Sequence, residues 1–269
     1  MQLCFNAGPE PLEAYFPFAY ENGFPWMELS CNNPKNFLPT FNARRINRIK
    51  KLRDKYRVRY GLHSASFVNS AELEPTVRKA VEKHLLAYVD LAHKLEAEYL
   101  VLHFGYHFSL FMDDVFASLI RTFTPVVQLA EKYDIPIGIE NMNKVHEDCE
   151  IAYLGVTIEE LARVFNALPT KYLGLTLDVA HASLLPGGTE SFIKAFPDKI
   201  ISTHISDNDL KLDFHLPVGE GKIDFRAPLK MLKDLSFKGT LNIELKKNDE
   251  RLISKQRLEP ILRDLGVLP

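Results

Sequence analysis

Residues 202–224 read Ser202-Thr203-His204-Ile205-Ser206-Asp207-Asn208-Asp209-Leu210-Lys211-Leu212-Asp213-Phe214-His215-Leu216-Pro217-Val218-Gly219-Glu220-Gly221-Lys222-Ile223-Asp224. The apolar run leading into this stretch, 199–205, has the length and composition of a buried strand, and His204 stands at its end. Asp207, Asp209, Asp213 and His215 follow, and a Gly219-Glu220-Gly221 turn closes the segment. Aspartates in loops commonly cap turns. Two histidines and three aspartates directly after a buried strand also describe a metal site at the strand's carboxyl end, and the rest of the chain discriminates between the two readings.

Outward from that stretch, short apolar runs alternate with longer helical patterns. Strands are expected at 2–5, 26–29, 59–63, 99–103, 136–140, 174–178, 200–204 and 240–244. Helices are expected around 12–21, 43–56, 74–96, 115–133, 157–167, 189–196, 225–235 and 253–265. In the long helix at 74–96, Val77, Val81, Leu85, Tyr88, Val89 and Ala92 recur at three- and four-residue steps. Thr157 with Glu160 makes a capping box for the helix that follows them. Eight βα units in 269 residues predict an α/β protein, a (β/α)8 TIM barrel forming a single domain over 1–269. Nearly all-apolar strands suit a parallel sheet covered on both faces. The competing doubly wound sheet would carry a Gly-x-Gly-x-x-Gly or phosphate loop after its first strand; none is present, and no nucleotide cofactor is expected.

Composition narrows the class further. Hydrophobic residues make up 46% and charged residues 25%, as in ordinary soluble domains, and the net charge of −2 supplies no global attraction to nucleic acid. Cys4, Cys31 and Cys149 are scattered without Cys-x-x-Cys spacing, which fits a reducing cytoplasm rather than a disulfide framework or a thiolate zinc site. The first residues lack the basic and apolar regions of a signal peptide, and no apolar run approaches the roughly 20 residues of a membrane span. A cytoplasmic protein without membrane association is expected.

The strand ends carry the chemistry. Strands three to eight end in His63, His103, Glu140, Asp178, His204 and Glu244, with His181 three residues after Asp178, and Glu28 lies near the end of strand two. In a barrel these ends meet on one face, where active sites lie. One such residue alone is ordinarily a satisfied core histidine or an ion-paired carboxylate. Six in succession are different, because grouped buried carboxylates are costly unless a cation compensates them. Histidine and carboxylate without cysteine suit zinc, manganese or a similar divalent metal in an open site. His84 and His93 fall inside a helix pattern and read as packing or surface residues; His146 falls in a loop beside Glu147 and Asp148, and His107 is close enough to reach the barrel mouth. Arg44-Arg45 and Lys246-Lys247 read as solvated helix faces, or as a rim for phosphate.

At these residues the sequence resembles the xylose-isomerase-like TIM-barrel superfamily, which holds sugar and sugar phosphate isomerases and epimerases and also endonuclease IV. The resemblance runs from Gly23-Phe24-Pro25-Trp26-Met27-Glu28-Leu29 to Ile243-Glu244-Leu245, and its most specific pieces are residues 174–181 and 213–221. The epimerase branch implies one divalent metal held by Glu140, Asp178, His204 and Glu244. In that branch Glu140 and Glu244 also serve as the acid/base pair, exchanging the substrate proton through an enediolate. The endonuclease IV branch implies a zinc hydrolase that cleaves phosphodiesters at abasic sites in DNA. Its nine ligands are matched by His63, His103, Glu140, Asp178, His181, His204, Asp213, His215 and Glu244. The chain departs from that branch where Asn143-Lys144-Val145 follows Glu140-Asn141-Met142, and where Ser66 replaces a DNA-wedging tyrosine. The resemblance therefore implies first a metal-dependent isomerase or epimerase for a sugar or sugar phosphate. In that case His63, His103, His181, Asp213 and His215 are free to bind further metal or substrate.

Overall fold

The computed structural model describes residues 1–108, 110–145 and 149–268. Its strands are β1 (Gln2–Ala7), β2 (Trp26–Ser30), β3 (Arg59–His63), β4 (Leu100–Leu102), β5 (Tyr106–His107), β6 (Ile137–Glu140), β7 (Ala152–Tyr153), β8 (Leu173–Asp178), β9 (Ile200–Ile205) and β10 (Thr240–Ile243). Eight of them close into a barrel in the order β1-β10-β9-β8-β6-β4-β3-β2, while β5 and β7 pair separately as a two-stranded ribbon. Every barrel pairing is parallel. The helices are α1 (Tyr15–Glu21), α2 (Ala43–Tyr56), α3 (Pro75–Leu95), α4 (Met112–Tyr133), α5 (Ile158–Ala167), α6 (Val179–Ser183), α7 (Gly188–Ala195), α8 (Arg226–Asp234) and α9 (Asn248–Asp264). Among the described residues, no helix is long and apolar enough to cross a membrane.

Alternate side chains of a strand point to opposite faces, which gives this barrel two different interiors. Leu173, Leu175 and Leu177 of β8, like Leu3, Phe5 and Ala7 of β1, join the large apolar layer between strands and helices. Each such leucine contributes about 1.5–3 kcal/mol on burial. The inward residues form a small separate apolar cluster of Cys4, Trp26, Tyr99 and Val101, with polar groups around it. Thr176 and Ser202 hydrogen-bond at 2.8 Å inside the barrel. The strands are thus less uniformly apolar than their composition suggests, because small polar residues occupy inward positions. Gly61 is another small residue facing inward, and a Cβ there would collide with the ring of Tyr99.

The eight expected strands and their helices are all present, with shifts at the edges. Tyr99 and His103 flank β4 rather than belonging to it, Glu244 lies just past β10, and α9 starts at Asn248 instead of 253. The short helix α6 and the β5–β7 ribbon are additions; each is too short to leave a periodic signal. The Thr157–Glu160 capping box forms, with the Glu160 N–H donating to Thr157 Oγ1 at 3.2 Å. Lys246 and Lys247 precede α9 rather than lying on a helix face. The loop expected to hold His146, Glu147 and Asp148 lies outside the described residues.

Candidate metal centre

Register delivers the central donors. Asp178 and His204 are direct partners across β8 and β9, brought level by a register shift between Leu175 and Thr176. Glu140 ends β6 on one side of them, and the Glu244 N–H donates to Ile205 O at 3.0 Å on the other. Ligand atoms of Glu140, Asp178, His204 and Glu244 all lie within 4.8 Å of one another. His204 Nδ1 is 3.0 Å from Glu244 Oε2, 3.4 Å from Glu140 Oε1 and 3.9 Å from Asp178 Oδ2.

The donor set fits a divalent cation. Asp178 Oδ2, His204 Nδ1 and Glu244 Oε2 are buried, face one another and have no hydrogen-bond partner. Orphaned polar atoms of that kind cost about 1–3 kcal/mol each, and a shared cation would satisfy all three together. One nitrogen and several carboxylate oxygens are the ligands of zinc or manganese.

The other five candidates surround this group in two further clusters. His63 Nε2 and His103 Nε2 lie 3.2 and 2.9 Å from Glu140 Oε2. His181 Nε2 and His215 Nε2 each lie 3.1 Å from Asp213 Oδ2. Three of these histidines are held from behind by carbonyls: His63 Nδ1 by Ser64 O at 2.7 Å, His181 Nδ1 by Asn141 O at 2.9 Å and His215 Nδ1 by Glu244 O at 3.2 Å. The structure thus brings all nine residues together at the carboxyl end of the barrel. His107 belongs to β5, outside the four donor groups found among the described residues, the fourth of which joins Glu28 to His63 and His204. His84 packs edge-on against Tyr88, and His93 stacks on Tyr133.

Charge in the site follows from this crowding. Burial alone would raise Glu140, but His204 and His103 outweigh it and hold the carboxyl well below its usual range. Burial likewise opposes ionisation of Glu244, and His204 brings it down to about 2. Asp178 goes the other way, to about 6, because burial and the charges of Glu140 and Glu244 exceed the help from His181. The histidines resist burial through their carboxylate neighbours. His204 is held well above its ordinary value by Glu28, Glu140 and Glu244, and His181 by Asp178 and Asp213 at about 10.

Two buried positions support the site without having been singled out as site residues. The Asn141 side chain donates to Asp178 O at 3.0 Å and accepts from the Asp178 N–H at 2.8 Å, clamping the ends of β6 and β8 together. Glu28, fully buried, lies 3.1 Å from His204 Nε2 through its Oε1. An acid inside the apolar run of β2 was the available signal for Glu28. Asn141 gave none beyond following Glu140. Beside the donors, a cavity of about 530 Å³ opens between Asn6, Phe214, His215, Glu244 and Lys246. That is within the range of about 300–1,000 Å³ for small-molecule sites.

Residues 16–265 match the family model described as xylose isomerase-like TIM barrel. The chain belongs to that family. An uncharacterised protein of Methanocaldococcus jannaschii is 30% identical over 94% of this chain and 86% of its own length. Fructoselysine 3-epimerase of Shigella flexneri is 25% identical over 93% of this chain and 91% of its own. A crystal structure of a D-tagatose 3-epimerase-like protein superposes with a TM-score of 0.90 at 28% identity, covering 99% of this chain and 98% of that one. The matched range runs from α1 into the last helix and includes all nine clustered residues.

Proposed function

We propose that this xylose isomerase-like barrel is a divalent-metal-dependent isomerase or epimerase acting on a sugar or sugar derivative. The observation that carries the reading is the convergence of the unpartnered Asp178 Oδ2, His204 Nδ1 and Glu244 Oε2 beside Glu140. The names borne by its relatives, fructoselysine 3-epimerase and D-tagatose 3-epimerase-like protein, support the same class.

Glu140, Asp178, His204 and Glu244 would hold the ion. When bound, it supplies Lewis-acid polarisation of a substrate carbonyl and hydroxyl, which acidifies the neighbouring C–H. Glu140 and Glu244 reach the centre from strands on opposite sides of the Asp178–His204 pair. Both carboxyls are held low and therefore ionised at neutral pH, as a proton acceptor requires. One takes the proton from carbon, leaving the sugar as its enediolate; the other, once it has taken up the proton of the adjacent substrate hydroxyl, delivers a proton to carbon from the opposite face, and the first then returns its proton to that oxygen. The cavity beside Glu244 accommodates the rest of the substrate.

The test is proton exchange. Ketohexoses and a fructosamine, incubated in D2O with manganese-loaded protein, should take up deuterium at the carbon next to the carbonyl. A chelated control should not. Lack of both exchange and epimer formation across such a panel would sink the reading.

A second reading rests on the flanking clusters, His63–His103–Glu140 and His181–Asp213–His215, whose donors would accept further ions as in a zinc phosphodiesterase. Four of the five extra side chains already pair with Glu140 Oε2 or Asp213 Oδ2, so they create less demand for a cation than the central set. An abasic-site DNA duplex should therefore remain uncut. Scission together with two or more zinc ions per chain would favour the hydrolase.

A further inference from the structure

Beneath the central donors lies a buried polar layer, none of whose residues lines the cavity beside Glu244. Glu28 is its hub. Its Oε1 faces His204 Nε2 at 3.1 Å and accepts from Asn242 Nδ2 at 3.0 Å. Its Oε2 accepts from the Tyr99 hydroxyl at 3.0 Å, and that hydroxyl is 3.1 Å from Thr240 Oγ1. Glu28 is fully buried, as are His204 and Asn242. The ring of Tyr99 reaches this depth because Gly61 leaves it room.

We infer that Glu28 is the positioning residue of the centre, orienting His204 so that Nδ1 and not Nε2 faces Glu140, Asp178 and Glu244. An imidazole that ligates through one nitrogen must carry hydrogen on the other. The partner of that N–H fixes both ring orientation and ligand basicity. Glu28 Oε1 can only accept, so it selects hydrogen at Nε2 and leaves the Nδ1 lone pair directed at the other three donors. The remaining hydrogen bonds of Glu28 come from Asn242 and Tyr99. Glu28 comes from β2, opposite the four donor strands, so the barrel's closure places it there.

This inference rests on the metal-site reading above, and binding measurements separate the two. Glu28→Gln is isosteric. Its oxygen can still serve His204 and Asn242, and its NH2 can face Tyr99, which then accepts and donates on to Thr240. The fold should persist, while His204 loses its charged partner. Manganese or zinc affinity, measured on the full chain by chelator competition, should fall about 10- to 100-fold, with little change in the melting temperature of the metal-free protein. Glu28→Asp, which keeps the charge but shortens the reach to His204, should weaken affinity similarly and replaces E28Q if that variant does not fold. Tyr99→Phe is the control. It removes a hydrogen bond from the same layer without touching His204, so it should lower metal-free stability and leave affinity near wild type. Affinity within twofold of wild type in E28Q, or in E28D where E28Q does not fold, overturns the inference, as does an equal loss in Y99F. If the wild-type chain shows no saturable binding, the metal-site reading falls as well.

Discussion

Glu140 and Glu244 face each other across His204, and the chemistry assigned to them depends on their staying ionised in a buried place. Replacing either with Gln keeps an oxygen near the metal position but removes the proton acceptor. Turnover should drop by at least about a hundredfold; near-normal turnover of E140Q or E244Q on a confirmed substrate would remove that residue from the acid/base role. Protons also compete with the ion. Asp178 takes up a proton at about pH 6, and His204 holds its proton above neutrality because carboxylates surround it. Both groups thus carry more protons in the metal-free site than they would in water. The sign follows: binding releases protons, so affinity rises as pH increases through about 6, where Asp178 loses its proton, and rises further above neutrality as His204 loses its own. Calorimetry in buffers of different ionisation enthalpy should detect that release, and a pH-independent affinity would contradict it. All nine clustered residues could be read from the sequence because each ends a strand or follows one closely. The role of Glu28 could not, since it depends on which nitrogen of His204 it meets, and that is a property of closure rather than of spacing.

At the scale of elements, the stretch from β9 to α8 bears out both readings of its aspartates. Asp207 and Asp209 cap turns, whereas Asp213 and His215 join the site. Asp207 Oδ1 accepts from the N–H groups of Asn208 at 2.8 Å and Ile223 at 3.1 Å, and Oδ2 from Gly219 at 2.8 Å. Its backbone also pairs in both directions with Leu216 at 2.8 Å. The loop is thereby folded back so that His215 and Asp213 hang over the barrel mouth. Gly221 completes the fold-back, since a Cβ there would strike Asn208 O and the Asp207 carboxylate. Asp207→Ala leaves the N–H groups of Asn208, Gly219 and Ile223 without their acceptor, that of Asn208 buried, and should destabilise the protein by about 1–3 kcal/mol. Urea unfolding would measure this as a lower midpoint at unchanged slope; a midpoint equal to wild type would show that the loop does not depend on Asp207. Sequence alone could not separate the three aspartates, because a turn-capping carboxylate and a site carboxylate differ in what they face, not in their neighbours along the chain. The β5–β7 ribbon escaped notice for a related reason: two residues per strand carry no period.

For the whole molecule, the barrel's weak seam and its functional centre coincide. The strands that supply the four central donors, β6, β8, β9 and β10, are consecutive around the barrel, and their carboxyl ends bring together buried groups that lack partners. In the metal-free protein these ends repel one another through Glu140, Asp178 and Glu244, and burial together with that repulsion pushes Asp178 up to about 6. An ion held by all four donors would tie four strands together and relieve that repulsion, so it should bind the native chain far better than the unfolded one. At a free ion concentration of about 100 times Kd, such linkage adds about 2.7 kcal/mol. For a chain of this size, that corresponds to roughly 5–11 °C in melting temperature. The stabilising order among divalent ions should follow suitability for mixed nitrogen and carboxylate ligands, with zinc or manganese above calcium. Thermal unfolding of chelator-treated protein, with each ion added back singly, reads this directly. The fourfold tie predicts more than a shift in wild type: Asp178→Asn and His204→Gln should each abolish most of the metal-dependent gain, because each removes a donor from a different strand. A melting temperature indifferent to every ion, or a gain that survives both substitutions, would place any bound metal away from β8 and β9.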